Sequence, residues 1–144
     1  HTMEIHRVYG DGEVPVILNL TQHAASPEQV EAGVVEPEEK ARVQKLLTFA
    51  SLPSLAEIHE RAEAIADVAS RHGATRAMVG GAPYLMAPLE WALIKRNILP
   101  LYSFTERVSE EQVQPDGTTR KVSTFRHVGF IRVENPDWIG DPEE

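Results

Sequence analysis

The sequence predicts an α/β fold, an open and mostly parallel sheet with a C-terminal antiparallel hairpin, and three observations predict it. Short apolar runs alternate with amphipathic stretches from residue 16 to residue 104. Glycine, serine and proline punctuate the boundaries between them. The last third changes character, becoming rich in Val, Thr and Phe on either side of Pro115-Asp116-Gly117, a strong turn signal. Strands that alternate with helices and then run consecutively describe a parallel sheet with an antiparallel edge.

The elements follow in order. Val16-Ile17-Leu18-Asn19-Leu20 is a short apolar run and reads as a buried first strand. Ser26 suits a helix N-cap, with Pro27 at the first helical position, where its missing N–H costs nothing. Gly33 reads as the stop of that helix. Residues 34–53 read two ways, as a strand over Lys45-Leu46-Leu47-Thr48-Phe49 or as a short helix from Glu38 to Leu47. The segment from Ser54 to His72 is the clearest helix. Ser54 and Glu57 make a capping-box pattern, Gly73 is a left-handed stop, and Leu55, Ile58, Ala62, Ile65, Ala66 and Ala69 share one face. Arg76-Ala77-Met78-Val79 reads as a strand that runs into Gly80-Gly81. Leu89, Ala92 and Leu93 mark a further helix, expected to become regular near Ala87 because Pro88 tolerates no position deep inside it. Ile98 to Phe104 is another strand, and Thr105 to Val113 pairs with Arg120 to Val133.

A chain of 144 residues fits one domain and buries about 70% of its unfolded surface. The expected division is a tag remnant (His1 and Thr2) and lead-in over 1–15, a single domain over 16–133 and an acidic tail over 134–144. With no cysteine, disulfides and thiolate chemistry are excluded. That composition suits a reducing compartment, and no apolar run approaches the length of a membrane span, so a cytoplasmic protein is expected. The net charge of −8 argues against a broad surface for long nucleic acid, while leaving room for a small anionic ligand in a local pocket.

Ligands of open α/β sheets bind outside the carboxyl ends of the strands, where the strand order reverses. Two loops meet that rule. One carries Asn19, Thr21, Gln22 and His23; the other carries Gly80, Gly81, Ala82 and Tyr84. Backbone amides of Gly80 and Gly81, unobstructed by side chains, suit a phosphate, and the following helix adds partial positive charge. The pair is neither a Walker loop nor a dinucleotide fingerprint, and as a tight turn it needs no ligand. His23 suits proton transfer or phosphate contact, and equally a polar loop residue. A third cluster joins Ser103, Thr105 and Arg107 to Arg126 and His127 on the returning strand. Arg107 offers a fork for phosphate, or pairs with neighbouring glutamates. His59 and His72 read as surface residues, no spacing suggests a metal, and no cofactor is expected. Trp91 reads as core or as a dimer contact, and Trp138 as exposed.

The runs Gly81-Ala82-Pro83-Tyr84-Leu85 and Asn97-Ile98-Leu99-Pro100-Leu101-Tyr102-Ser103-Phe104-Thr105-Glu106-Arg107 resemble the carboxyl half of small stand-alone CRISPR-associated proteins of the CARF type. So do Pro115-Asp116-Gly117 and Ser123-Thr124-Phe125-Arg126-His127-Val128-Gly129-Phe130, and Leu20-Thr21-Gln22-His23 with Glu28-Gln29 resembles the same family's first strand and helix. The chain departs from the family pattern at Gly80–Pro83, where an acidic residue is expected, and residues 34–53 have no counterpart. The resemblance implies a Rossmann-like sheet with helices on both faces and a homodimer. It also implies a ring nuclease in antiviral defence, which binds and cuts a cyclic oligoadenylate, cyclic tetra-adenylate foremost, without metal. In that reading His23, Arg107 and His127 serve catalysis. Asn19, Thr21, Gln22, Gly80, Gly81, Ala82, Tyr84, Ser103 and Thr105 hold the ligand. Three other readings stand beside it: a sensor or sequestering protein of the same fold, a small interaction protein of a mobile element, and a mononucleotide hydrolase.

Overall fold

The computed structural model describes residues 3–6 and 16–134. In chain order the elements are β1 (Met3–His6), β2 (Ile17–Leu20), α1 (Pro27–Glu31), β3 (Val34–Val35), α2 (Lys40–Leu47), α3 (Leu55–Arg71), β4 (Arg76–Val79), α4 (Pro83–Lys95), β5 (Leu99–Val113) and β6 (Thr119–Val133). They form one six-stranded sheet in the order β1-β6-β5-β4-β2-β3. β3, β2, β4 and β5 run parallel, and β6 and β1 are antiparallel additions. This is the α/β architecture expected, an open, mostly parallel sheet with a C-terminal hairpin.

Side-chain alternation divides the core between the two faces of the sheet. Leu18, Leu20, Ala77 and Val79 point to the face covered by α2, α3 and α4, and pack on Ile58, Ala62, Ile65, Ala66, Leu85, Leu89 and Leu93. Each large aliphatic side chain buried there contributes about 1.5–3 kcal/mol. Ile17, Met78, Leu101 and Phe130 point the other way, toward a smaller cluster flanked by Ala25 and Ala32 at the two ends of α1.

Local signals explain the boundaries. Ser26 caps α1 in a reciprocal capping box with Gln29, and Ser54 caps α3 by accepting from the Glu57 N–H. Gly33 and Gly73 take positive φ at the two stops. The alternative at 34–53 resolves as the helix, with Val43 and Leu47 buried, after a two-residue strand that ends the sheet. Such a short edge strand presents little unpaired backbone.

Four expectations need correction. The stretch read as a lead-in supplies an edge strand, β1, in register from Met3 opposite Val133 to His6 opposite Phe130. α4 begins at Pro83, not near Ala87, and carries Pro88 within it. The cost of Pro88 is the hydrogen bond to the Tyr84 carbonyl, and burial of Leu85, Met86 and Leu89 on either side offsets it. Leu55 opens α3 before burial begins at Ile58, and is exposed. Of the two readings of Trp91, core or dimer contact, the core is excluded, since Trp91 is 42% exposed on α4. Trp138 lies outside the described residues.

β5 and β6 are each 15 residues long, yet β4 pairs with β5 only from Leu99 to Leu101. The hairpin therefore projects beyond the sheet as a two-stranded arm, closed by a turn in which Gly117 takes positive φ. Among the described residues, no helix is long and apolar enough to cross a membrane.

Candidate functional site

Strand order reverses at β2. The chain leaving β2 passes through α1 to β3 on one side, while β4 on the other side leads through α4 to β5. The loops at the carboxyl ends of β2 and β4 therefore part, and the crevice between them is where such sheets place ligands. The projecting β5–β6 arm walls it. The result is a cavity of about 550 Å³ lined by residues 21–24, Gly80, Gly81, Ser103, Thr105, Phe125 and His127, with Ser26, Gln29, Met78, Val79 and Tyr102. None of these side chains is a carboxylate, in a chain of net charge −8.

The loop after β2 is held from beneath. Asn19, fully buried, donates through Nδ2 to the His23 carbonyl at 2.8 Å and to Glu36 at 3.0 Å, and its Oδ1 accepts from the Thr21 N–H and hydroxyl. Glu36 also accepts the Ala25 N–H, and Lys40 donates to the Thr21 and His23 carbonyls. Burial acts to raise the Glu36 carboxyl, but the Ala25 N–H, Lys40 and Asn19 outweigh it and hold it below its ordinary value. Only Asn19 in this network is buried, but the bonds that converge on its amide and on Glu36 and Lys40 tie the loop to the strand beneath it, so Thr21, Gln22 and His23 are presented together.

The opposite wall depends on a β-bulge. The ladder runs from Ser103 opposite Phe130 and Phe104 opposite Gly129 to Thr105 opposite His127, skipping Val128. An uninterrupted ladder would turn His127 to the far face. The skipped residue returns it to the face of Ser103 and Phe130. There His127 Nδ1 lies 2.6 Å from Ser103 Oγ, and its ring packs on Phe130 with centroids 4.6 Å apart. Gln29 Nε2 donates to Ser103 from α1 at 3.1 Å. Burial pushes the imidazole below its ordinary value, and Glu28 opposes that shift.

The residues singled out from the sequence separate into two groups. Thr21, Gln22, His23, Gly80, Gly81, Ser103, Thr105 and His127 line the cavity together. Asn19 lies under the loop, with both ends of its amide bonded inside the protein. Ala82 is the N-cap residue of α4. Tyr84 turns to the other side, edge-on to Phe49 at 5.3 Å, beside a second cavity of about 490 Å³ at residues 49–53. Arg107 lies out on the arm, with Ser123 Oγ at 3.4 Å, and Arg126 pairs with Glu106 on the opposite face of the arm.

Gly81 has φ 155°, and a Cβ there would meet Met86 Cε at 3.3 Å and Leu47 Cδ2 at 3.5 Å, in the core rather than the cavity. Its glycine requirement comes from the backbone and the core. A Cβ at Gly80 would touch Thr21 Cγ2 at 3.5 Å, an ordinary contact.

Sequence reasoning missed Ser26, Gln29, Tyr102 and Phe125. Ser26 was read as an N-cap and Gln29 only as part of the family resemblance, and nothing linked either to Ser103, 74 positions on from Gln29. Tyr102 donates to Glu90 on α4 at 2.6 Å, and burial with that carboxylate raises its phenol well above the ordinary value. Gly129 was the available sign of the bulge, since a glycine inside a strand often marks one. Among the described residues, no cluster of three or more His, Asp or Glu side chains is placed to hold a metal ion.

No curated protein and no solved structure matches the chain. A family model covers residues 15–131, from just before β2 to within β6, and so spans the strands and loops that enclose the cavity. On that match the chain belongs to the uncharacterized protein MJ1673 family.

Proposed function

We propose that the cavity binds a cyclic oligoadenylate, cyclic tetra-adenylate foremost, and opens the ring as a ring nuclease. The observation that carries this reading is the meeting of His23 and His127 in one carboxylate-free cavity beside the Gly80–Gly81 backbone. The resemblance of residues 16–30 and 76–133 to CARF-type proteins supplies the ligand class. A neutral, donor-rich lining suits phosphodiester oxygens, which a row of carboxylates would repel.

The reaction needs few groups. A ribose 2′-oxygen attacks the adjacent phosphorus, the 5′-oxygen leaves, and the proton of the 2′-hydroxyl is returned to that oxygen. The product is a linear oligonucleotide with a 2′,3′-cyclic phosphate at one end and a 5′-hydroxyl at the other. The protein aligns attacking and leaving oxygens, and hydrogen-bond donors stabilise the charge that develops on phosphate. The histidines supply a proton acceptor and a hydrogen-bond donor. One cavity has the volume of a single small-ligand site. A larger ring therefore calls for a second copy of the chain across a two-fold axis, with the same loops facing the ring from both sides.

The test is incubation of the purified protein with cyclic tri-, tetra- and hexa-adenylate in EDTA, followed by chromatography. Linear products ending in 2′,3′-cyclic phosphate support the reading. Intact rings with measurable binding convert the protein to a sensor of the same ligand, and intact rings without binding remove the nucleotide reading altogether.

A further inference from the structure

Gln29 is oriented before it reaches the cavity. Its Oε1 accepts the Ser26 backbone N–H at 2.9 Å, the returning half of the capping box. Its Nε2 is therefore the atom turned to Ser103 Oγ, 3.1 Å away. An amide nitrogen donates and does not accept, so Ser103 receives this bond. The serine's own hydroxyl proton then needs an acceptor, and His127 Nδ1 lies at 2.6 Å. Donation runs in one direction, from Gln29 to Ser103 to His127. An Nδ1 that accepts is unprotonated, and in the neutral ring the proton then resides on Nε2.

The geometry points to Gln29 and Ser103 as positioning residues that hold His127 in its Nε2–H tautomer, so that the ring meets its ligand as a hydrogen-bond donor and not as a base. Among the described residues Nε2 makes no hydrogen bond, which leaves it for the occupant of the cavity. The donor role toward a phosphate oxygen rests on the proposed function; the tautomer does not. Under that function, acceptance of the 2′-hydroxyl proton falls to His23 across the cavity. The titratable and charged groups on the face of His127 are Glu28 on α1, His23 on the loop after β2 and Arg107 on β5, while Arg126 lies on the opposite face, paired with Glu106. Of these, Glu28 favours the charged ring, and burial outweighs it.

A single substitution should reverse the relay. Glu serves a capping box as well as Gln does, so Gln29→Glu keeps the cap on Ser26. The second oxygen of the introduced carboxylate accepts where the amide nitrogen donated. Ser103 then donates to that carboxylate and accepts from His127, which moves the ring proton to Nδ1. Nitrogen-15 NMR of the imidazole at about pH 8, well above the ordinary histidine pKa, reads this directly. Wild-type protein should show Nδ1 unprotonated and Nε2 protonated. Gln29→Glu should exchange the two signals, and Ser103→Ala should give a mixture. A protonated Nδ1 in the wild type, or a Gln29→Glu spectrum unchanged from wild type, overturns the relay. Ring cleavage measured on the same samples separates the two claims. The expected tautomer without cleavage keeps the relay and removes the ring nuclease, and cleavage with the opposite tautomer does the reverse.

Discussion

Ser103 Oγ and His127 Nδ1 are separated by 24 positions in the chain and by 2.6 Å in the fold, and the contact depends on the residue the ladder skips, Val128. The bulge sets which face His127 occupies, and the free edge of β5 beyond Leu101 makes room for the cavity beside it.

His23→Ala and His127→Ala are each expected to lower ring cleavage about 100-fold or more, the first as loss of a proton acceptor and the second as loss of a hydrogen-bond donor to phosphate, with thermal unfolding little changed. Arg107→Ala, whose side chain lies on the arm, is expected to leave turnover near wild type. Single-turnover rates on the three variants check this, and wild-type rates in both histidine variants would remove the site.

Phe125 is 73% exposed at the lip of the cavity, an unusual position for a phenylalanine on a ribbon with no third strand. If it stacks on a base, Phe125→Ala should weaken binding by about 1–3 kcal/mol, which is roughly 5- to 150-fold in Kd. Its melting temperature should stay close to wild type, since little burial is lost. A titration with an uncleaved ring reads the first quantity and calorimetry the second; unchanged affinity would leave Phe125 without a role at the cavity.

At Gly81 the added side chain meets the core, so Gly81→Val should destabilise the fold by about 1–3 kcal/mol through backbone strain and overpacking. Gly80→Ala, whose Cβ finds an ordinary contact with Thr21, should keep its stability. Denaturant midpoints of the two variants decide this, and a Gly81→Val protein as stable as wild type would contradict the placement of its Cβ.

Acid should loosen the loop after β2. Glu36 has a folded pKa below its unfolded value, so its contribution is complete above the unfolded value and is lost as pH falls through the folded one. His127 adds in the same direction. Its folded pKa is also depressed, so below the unfolded value of about 6.5 the unfolded state binds the extra proton and stability declines. Protection factors for amide exchange at residues 21–25, taken against the intrinsic rate at each pH, should fall from neutral pH to about pH 4, and Glu36→Gln should flatten the part of that dependence due to the carboxylate. Asn19→Ala, which removes the bonds that hold the loop to β2, should cost about 1–3 kcal/mol near neutral pH.

Sequence alone determined the parallel strands β2 and β4, the helices α1 and α3 with their caps, the hairpin turn and the crevice after β2 and β4. Each of these follows from local chemistry: apolar period, an N-cap serine, a glycine at positive φ, a Pro-Asp-Gly turn. The limits of that reasoning lie at Pro88, inside a helix because packing of its neighbours outweighs one lost hydrogen bond, and at Leu55, apolar but ahead of the buried face. Tertiary structure alone decided that Asn19 supports the site instead of lining it, that Tyr84 and Arg107 leave it, and that Gln29, Ser103 and His127 form one hydrogen-bonded line. The physical reason is strand parity. A period of two assigns faces from sequence only while the register is unbroken, and the single skipped residue at Val128 reverses the assignment for everything from His127 toward the tip of the arm.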